Sequence, residues 1–213
     1  MSAESCFEII GTPQDTQLVL TCDHASNRIP PDVAPIGLSD DDLARHIAYD
    51  VGARGVTLAL ARKLRAVAVL NRVSRIVIDP NRGPDDPTLV RRIYDRSIIE
   101  GNRHVDDAEV ARRMAAHYTP YHDAVRGAVD QVLDHGCVPA VIAIHSFTKQ
   151  LANRPPRPWH VGILWDGVDG RLAHPLMEGL RADGWCVGDN QPYSGKFDGD
   201  SQDRHAMKRG LPN

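Results

Sequence analysis

Leu18-Val19-Leu20-Thr21-Cys22-Asp23-His24-Ala25-Ser26-Asn27-Arg28 is a short apolar run that stops at a group of chemically competent residues. Its length and content read as a buried strand, and the polar residues after Cys22 read as the loop at that strand's carboxyl end. The pattern recurs. Val67–Leu70, Ile76–Ile78, Ala140–Ile144, Val161–Trp165 and Trp185–Val187 are further apolar runs of strand length.

Between these runs the spacing predicts helices. Ser39-Asp40-Asp41-Asp42 resembles a capping box, and the helix it opens is expected to reach about Leu64. A second helix covers about Asp106 to Asp134. It should kink or break near Thr119, because Pro120 lacks a backbone donor and crowds the preceding turn. A third spans about Arg171 to Asp183 and stops at Gly184. Strands alternating with helices predict an α/β fold, a three-layer sandwich around a central sheet that is mostly parallel or mixed. The stretches 81–95 and 150–158 read as loops over a sheet edge rather than linkers, so residues 1–213 are expected to form one domain.

Composition narrows the function. With 213 residues, 42% of them apolar and 25% charged, the chain can bury a real core. Net charge is −3 and the arginines are scattered, without the basic stripe a nucleic-acid binder carries. No apolar run approaches the roughly 20 residues of a membrane helix. Met1-Ser2-Ala3-Glu4-Ser5 lacks the basic, apolar start of a signal peptide, so the cytoplasm is the expected compartment. Cys6, Cys22, Cys137 and Cys186 form no Cys-x-x-Cys pair, which argues against a thiolate cluster. Cys22 and Cys186 fall in strand-like runs and are expected in the core. Oligomeric state leaves no trace in the sequence.

In open α/β sheets ligands bind beyond the carboxyl ends of the strands. There this chain places Asp23-His24, Asp79-Pro80-Asn81-Arg82, His145-Ser146-Phe147-Thr148 and Asp189-Asn190-Gln191-Pro192-Tyr193-Ser194. Two strand-end histidines suit a catalytic zinc site, where imidazoles and a carboxylate hold the ion and one position stays open. His24 and His145 are the candidates; the alternative is that each is a hydrogen-bonded loop residue. Asp50 falls on the helix face shared by Leu43, Ile47, Val51 and Leu58. A carboxylate turned into that stripe needs a compensating cation, either zinc or an arginine such as Arg75, and both readings stand. His46 is a weaker substitute. Ser26 and Ser146 adjoin histidines, but no Gly-x-Ser-x-Gly elbow is present and strand neighbours point to opposite faces.

At these residues the chain resembles the N-formylglutamate amidohydrolase family, related in fold and chemistry to the zinc exopeptidases, aspartoacylases and succinylglutamate desuccinylases. The resemblance rests on Asp23-His24-Ala25-Ser26-Asn27, His46-x-x-x-Asp50-x-Gly52-Ala53, Ser74-Arg75-x-x-x-Asp79-x-Asn81-Arg82, Tyr118-x-Pro120-Tyr121-His122, His145-Ser146-Phe147 and Asn190-x-Pro192-Tyr193-Ser194-Gly195, in the family's order. It implies a hydrolase-like, zinc exopeptidase-like sandwich with His24 and His145 on zinc. It implies Asn81 and Arg82 near the substrate and Arg75 on the scissile carbonyl or a substrate carboxylate. Arg82 has an alternative as a salt bridge to Asp79 or Asp85. Ser146 and Tyr193 are expected to line the pocket, while Tyr121 and His117 are read as core.

Two departures stand out. Zinc exopeptidases carry a glutamate three residues after the first histidine, whereas Asn27 stands there, so Asp50 is the candidate third ligand. Relatives also continue beyond the position of Asn213 into a strand bearing a general-base glutamate. A shortened chain, a substitute among Asp198, Asp200 and Asp203, or lost hydrolysis would each account for this. The expected function is zinc-dependent hydrolysis of a small N-acyl amino acid, N-formylglutamate to formate and glutamate. The alternative is a non-catalytic binder of acidic amino-acid derivatives.

Overall fold

The computed structural model describes residues 4–13, 16–33, 35–151, 153–196 and 198–213; residues 1–3, part of the stretch read for a leader, lie outside the described residues. The chain runs β1 (Phe7–Ile10), β2 (Leu18–Cys22), α1 (Asp40–Leu43), α2 (Ala53–Leu64), β3 (Val67–Asn71), β4 (Ile93–Tyr94) and β5 (Ser97–Ile98). It continues through α3 (Asp107–Arg113), α4 (Thr119–Asp134), β6 (Ala140–Ala143), β7 (Val161–Ile163), α5 (Ala173–Ala182), β8 (Val187–Asp189) and α6 (Ser201–His205).

The central sheet has the order β1-β3-β2-β6. Its pairings are not all alike: β2 is parallel to β3 and β6, while β1 runs antiparallel to β3, so the sheet is mixed. Side chains alternate across it. Val19, Val67, Val69 and Val141 face Tyr121, Val125, Ala128, Val129 and Val132 of α4. Leu20, Cys22, Ala68 and Leu70 face Ala53 and Ala61 of α2 on the other side. Helices thus cover both faces, and each buried valine or leucine contributes about 1.5–3 kcal/mol of the drive to do so. A separate parallel pair, β7 with β8, and a hairpin, β4 with β5, complete the strands. No helix among the described residues is long and apolar enough to cross a membrane.

Several expectations need correction. The helix opened by Ser39 ends at Leu43, and α2 starts afresh at Ala53 behind Gly52, whose φ of 85° only glycine adopts freely. The intervening backbone is tied to the strand ends instead: Asp50 N donates to His24 O at 3.0 Å and Arg75 N to Ala48 O at 3.2 Å. Asp50 is therefore a loop residue, and Val51, expected on the same apolar face, is 53% exposed. Ile76–Ile78 is a buried turn. Its carbonyls are met by side chains rather than a ladder, Asn102 Nδ2 on Ile76 O at 2.8 Å and Arg113 Nη1 on Val77 O at 3.0 Å. The strand read at Trp185–Val187 begins only at Val187, leaving Trp185 and Cys186 exposed, whereas Cys22 is buried. The break near Thr119 is present: α3 passes through a wider π-type turn at Met114–Tyr118, and Pro120 sits in the first turn of α4.

α4 and α6 meet through two buried histidines, with His122 Nδ1 2.8 Å from His205 Nε2. That contact needs one N–H facing one lone pair, so both rings cannot be charged. Burial, then the charge of Arg204, lowers the His122 pKa to about 3; burial and Arg204 likewise lower His205 to about 4. The unfolded chain takes up these protons near the ordinary value of 6.5. Stability is accordingly lost as pH falls from about 6.5 towards 4, at about 1.4 kcal/mol per pH unit for each ring that stays neutral. Urea midpoints of the wild type and His205→Gln across that range test this. The variant should lose stability less steeply; parallel slopes would remove the pair from the acid response.

Candidate active site

β2 delivers Asp23 and His24 past its last residue, β6 delivers His145 and Ser146, and the turn after β3 delivers Arg75 and Asp79. The loop before α2 supplies Asp50, 6% exposed. One carboxylate oxygen gathers the rest: Asp50 Oδ2 lies 3.4 Å from His24 Nδ1, 2.9 Å from His145 Nδ1 and 3.2 Å from the amide of Ser146. His24, Asp50 and His145 each offer one ligand atom within 4.8 Å of the others.

Behind this group stands a second layer. His24 Nε2 meets Asp79 Oδ1 at 2.7 Å. His145 Nε2 lies 3.4 Å from Asp23 Oδ2, while Asp23 Oδ1 accepts from Tyr121 at 2.6 Å and from Ser201 at 3.1 Å. Arg75 spans two carboxylates, Nη1 to Asp50 at 3.3 Å and Nη2 to Asp79 at 2.9 Å.

The electrostatics reflect that crowding. Burial opposes ionisation of Asp79, yet Arg75 and His24 hold its pKa well below the usual carboxylate range. Asp50 is similarly depressed, with burial overcome chiefly by His24 and His145. For Asp23, burial is outweighed by His145, His24 and Tyr121, and its pKa is lowered to about 2. Burial alone would lower the pKa of His145; the carboxylates of Asp23 and Asp50 beside the ring overcome it and raise the value to about 10.

These atoms suit a divalent cation. Ionised Asp79 can only accept, so His24 donates from Nε2, and in the neutral ring the Nδ1 lone pair then faces an Asp50 oxygen. Two electron-rich atoms in contact call for positive charge between them, a proton or a metal ion. Tetrahedral zinc ligands at about 2.0–2.1 Å from the metal stand about 3.4 Å apart, the separation of His24 Nδ1 from Asp50 Oδ2, 3.4 Å. Asp23 Oδ2 is buried without a hydrogen bond and waits on the ring of His145. Carboxylates behind metal-binding imidazoles fix ring orientation in the same way.

The remaining sequence candidates occupy different places. Asn81 lies against the site, its amide donating to Asp79 at 3.0 Å and its side-chain oxygen accepting from Ser201 N at 3.2 Å. Arg82 turns to Thr88 at 3.2 Å and the Asn81 carbonyl at 2.6 Å, with Asp86, not Asp79 or Asp85, its nearest carboxylate at 3.8 Å. Tyr193 is 45% exposed and accepts from Arg157. His46 pairs with Asp95 at 3.3 Å, outside the metal-type group. Arg75, read from the sequence as a substrate contact or as the cation beside Asp50, is buried with one terminal nitrogen on Asp50 and the other on Asp79. Asp198 and Asp203 pair with Lys208, and Asp200 caps α6; among the described residues none of the three contacts His24, Asp50 or His145. Sequence reasoning missed Asp23, Asp79, Tyr121 and Ser201 as site residues. The first two adjoin named candidates and Tyr121 lies in a stretch that carries the resemblance, though read there as core; nothing in Ser201 marks it before the chain is folded.

A mixed α/β sheet that gathers two imidazoles and a carboxylate at its strand ends, backed by further carboxylates and an arginine, defines a hydrolase-type centre. Comparison with known families makes this particular. The model of N-formylglutamate amidohydrolase matches residues 16–213, and the chain belongs to that amidohydrolase family. A solved gene product of Agrobacterium tumefaciens is 34% identical, with a TM-score of 0.90 over 99% of this chain and 83% of that one. A solved N-formylglutamate amidohydrolase of Ralstonia eutropha shares the fold at a TM-score of 0.71 and 22% identity, covering 91% of this chain and 79% of that one. Among curated proteins, none matches significantly.

Proposed function

We propose that the protein is a zinc-dependent amidohydrolase that cleaves N-formylglutamate to formate and glutamate. The observation that carries this reading is the approach of His24 Nδ1 and His145 Nδ1 to one oxygen of Asp50. His24, Asp50 and His145 hold the metal in this proposal, on a zinc exopeptidase-like three-layer sandwich formed by residues 1–213 as one domain. Zinc bound there supplies Lewis acidity at the scissile carbonyl and lowers the pKa of the attacking water.

The chain's own residues do the rest. Asp79 keeps the His24 ring turned with Nδ1 inward, and Asp23, pinned by Tyr121 and Ser201, does the same for His145. Arg75 acts one step back, offsetting the charge of Asp50 and Asp79. The Ser146 side chain, next to a metal ligand, lines the entrance with Tyr193. Asn81 and Arg82 sit beside Asp79 at the edge where the amino-acid half of the substrate would lie. Such small soluble substrates fit a cytoplasmic role.

Formate release from N-formylglutamate, measured with and without chelator, tests the reading. Activity should vanish on chelation and return with stoichiometric zinc. Purified protein that takes up no zinc, or turns over unimpaired in chelator, would sink it. A non-catalytic binder would instead take up zinc and glutamate without releasing formate.

A further inference from the structure

Arg157 lies in the 150–158 loop, a stretch with no part in the proposed hydrolysis. Its guanidinium is clamped: Nη1 donates to Thr148 O at 3.0 Å and Nη2 to the Tyr193 hydroxyl at 3.0 Å. It stacks 4.9 Å from the Tyr193 ring centroid and 5.7 Å from that of Phe147, and its own amide donates to Lys149 O at 2.8 Å. Two aromatic faces and two acceptors therefore hold a half-buried cation in a single pose.

What it lacks is an acid. Arg75, Arg82 and Arg91 each reach an aspartate within 4.0 Å. No described carboxylate stands that close to Arg157. A guanidinium carries five N–H donors, and two are engaged here, so a free edge remains for a planar bidentate partner. Its position fits a substrate group. Thr148 comes three residues after His145, a chain span of at most about 11 Å. From scissile carbon to side-chain carboxylate an extended N-acyl glutamate measures about 6 Å by the same bond lengths. Arg157 and the metal-type group can thus address opposite ends of one such molecule.

We propose that Arg157, presented by Phe147 and Tyr193, is the subsite for the side-chain carboxylate of an acidic N-acyl amino acid. This rests on the amidohydrolase reading above and names the residue that makes the site select a dicarboxylate. Arg82, engaged with Thr88, Asp86 and its own loop, is left to the region nearer Asp79.

The test compares kcat/KM for N-formylglutamate and N-formylglutamine in the zinc-loaded full chain. The wild type should prefer the glutamate derivative, and Arg157→Gln should erase that preference by on the order of 100-fold, mostly through KM. Arg157→Lys should recover part of it, since it keeps the charge but loses the fork and the stacking. Zinc content and melting temperature of each variant report whether the fold is intact. A preference that stays within about twofold of wild type in Arg157→Gln, or a wild type without preference, overturns the subsite.

If no substrate is turned over, the amidohydrolase reading fails separately. The subsite is then read from thermal stabilisation by glutamate over glutamine. That stabilisation must be present in the wild type and lost in Arg157→Gln. Its absence from the wild type refutes the subsite.

Discussion

Replacing His24 or His145 with alanine is expected to abolish stoichiometric zinc and, with it, measurable formate release. In the proposed site each ring is one of three candidate donors among the described residues, and a catalytic site held by three ligands has no spare to lose. The remaining pair would be one imidazole and Asp50, whose other oxygen is already engaged by Arg75 at 3.3 Å. A graded control separates ligands from their supports. Asp79→Asn leaves all three donors but exchanges the ionised acceptor on His24 Nε2 for an amide. It should weaken zinc binding by about 10- to 100-fold, the range for outer partners of metal-bound histidines, without eliminating it. Metal analysis of dialysed protein and competition with a chromophoric chelator measure both. Either alanine variant retaining full zinc occupancy would remove that histidine from the ligand set.

That prediction depends on residues legible before folding, and the reason is topological. His24 and His145 each come directly after an apolar run of strand length, and strand ends are where such sheets bind ligands. Parallel pairing of β2 with β6 then brings them side by side, with ring centroids 5.0 Å apart. Asp50 stands out in the sequence through a helix periodicity that the fold does not keep. Its burial arises because loop backbone is tied to His24 O and to the turn at Arg75, long-range bonds that no local pattern encodes. Ile76–Ile78 misleads for a related reason: its carbonyls are satisfied by Asn102 and Arg113, which lie more than twenty residues later and leave no periodic mark. Pro120 is readable because its effect on the backbone is local.

Arg75→Met should be the most destabilising substitution in the molecule that touches no apolar core. It removes the one guanidinium that bridges Asp50 and Asp79, both buried and both ionised. Arg91, 3.8 Å from Asp79, compensates only one of them and at longer range. Breaking a buried ion network by deleting one partner costs about 3–5 kcal/mol; here Asp79 loses its principal counter-charge and Asp50 is left to His24 and His145. For a chain of this size that lowers the melting temperature by roughly 6–20 °C. Zinc should return part of the loss. A dication on Asp50 restores positive charge where the arginine was, and any ligand bound only by the folded state adds stability by mass action. The deficit should therefore be larger in chelator than at saturating zinc. Arg75→Lys, which keeps one charge but cannot fork across two carboxylates, should fall between the wild type and the methionine variant. Arg75→Met melting within a degree or two of wild type in chelator would mean that Asp50 and Asp79 do not depend on this arginine. A zinc-independent deficit would separate Arg75 from the metal-type group.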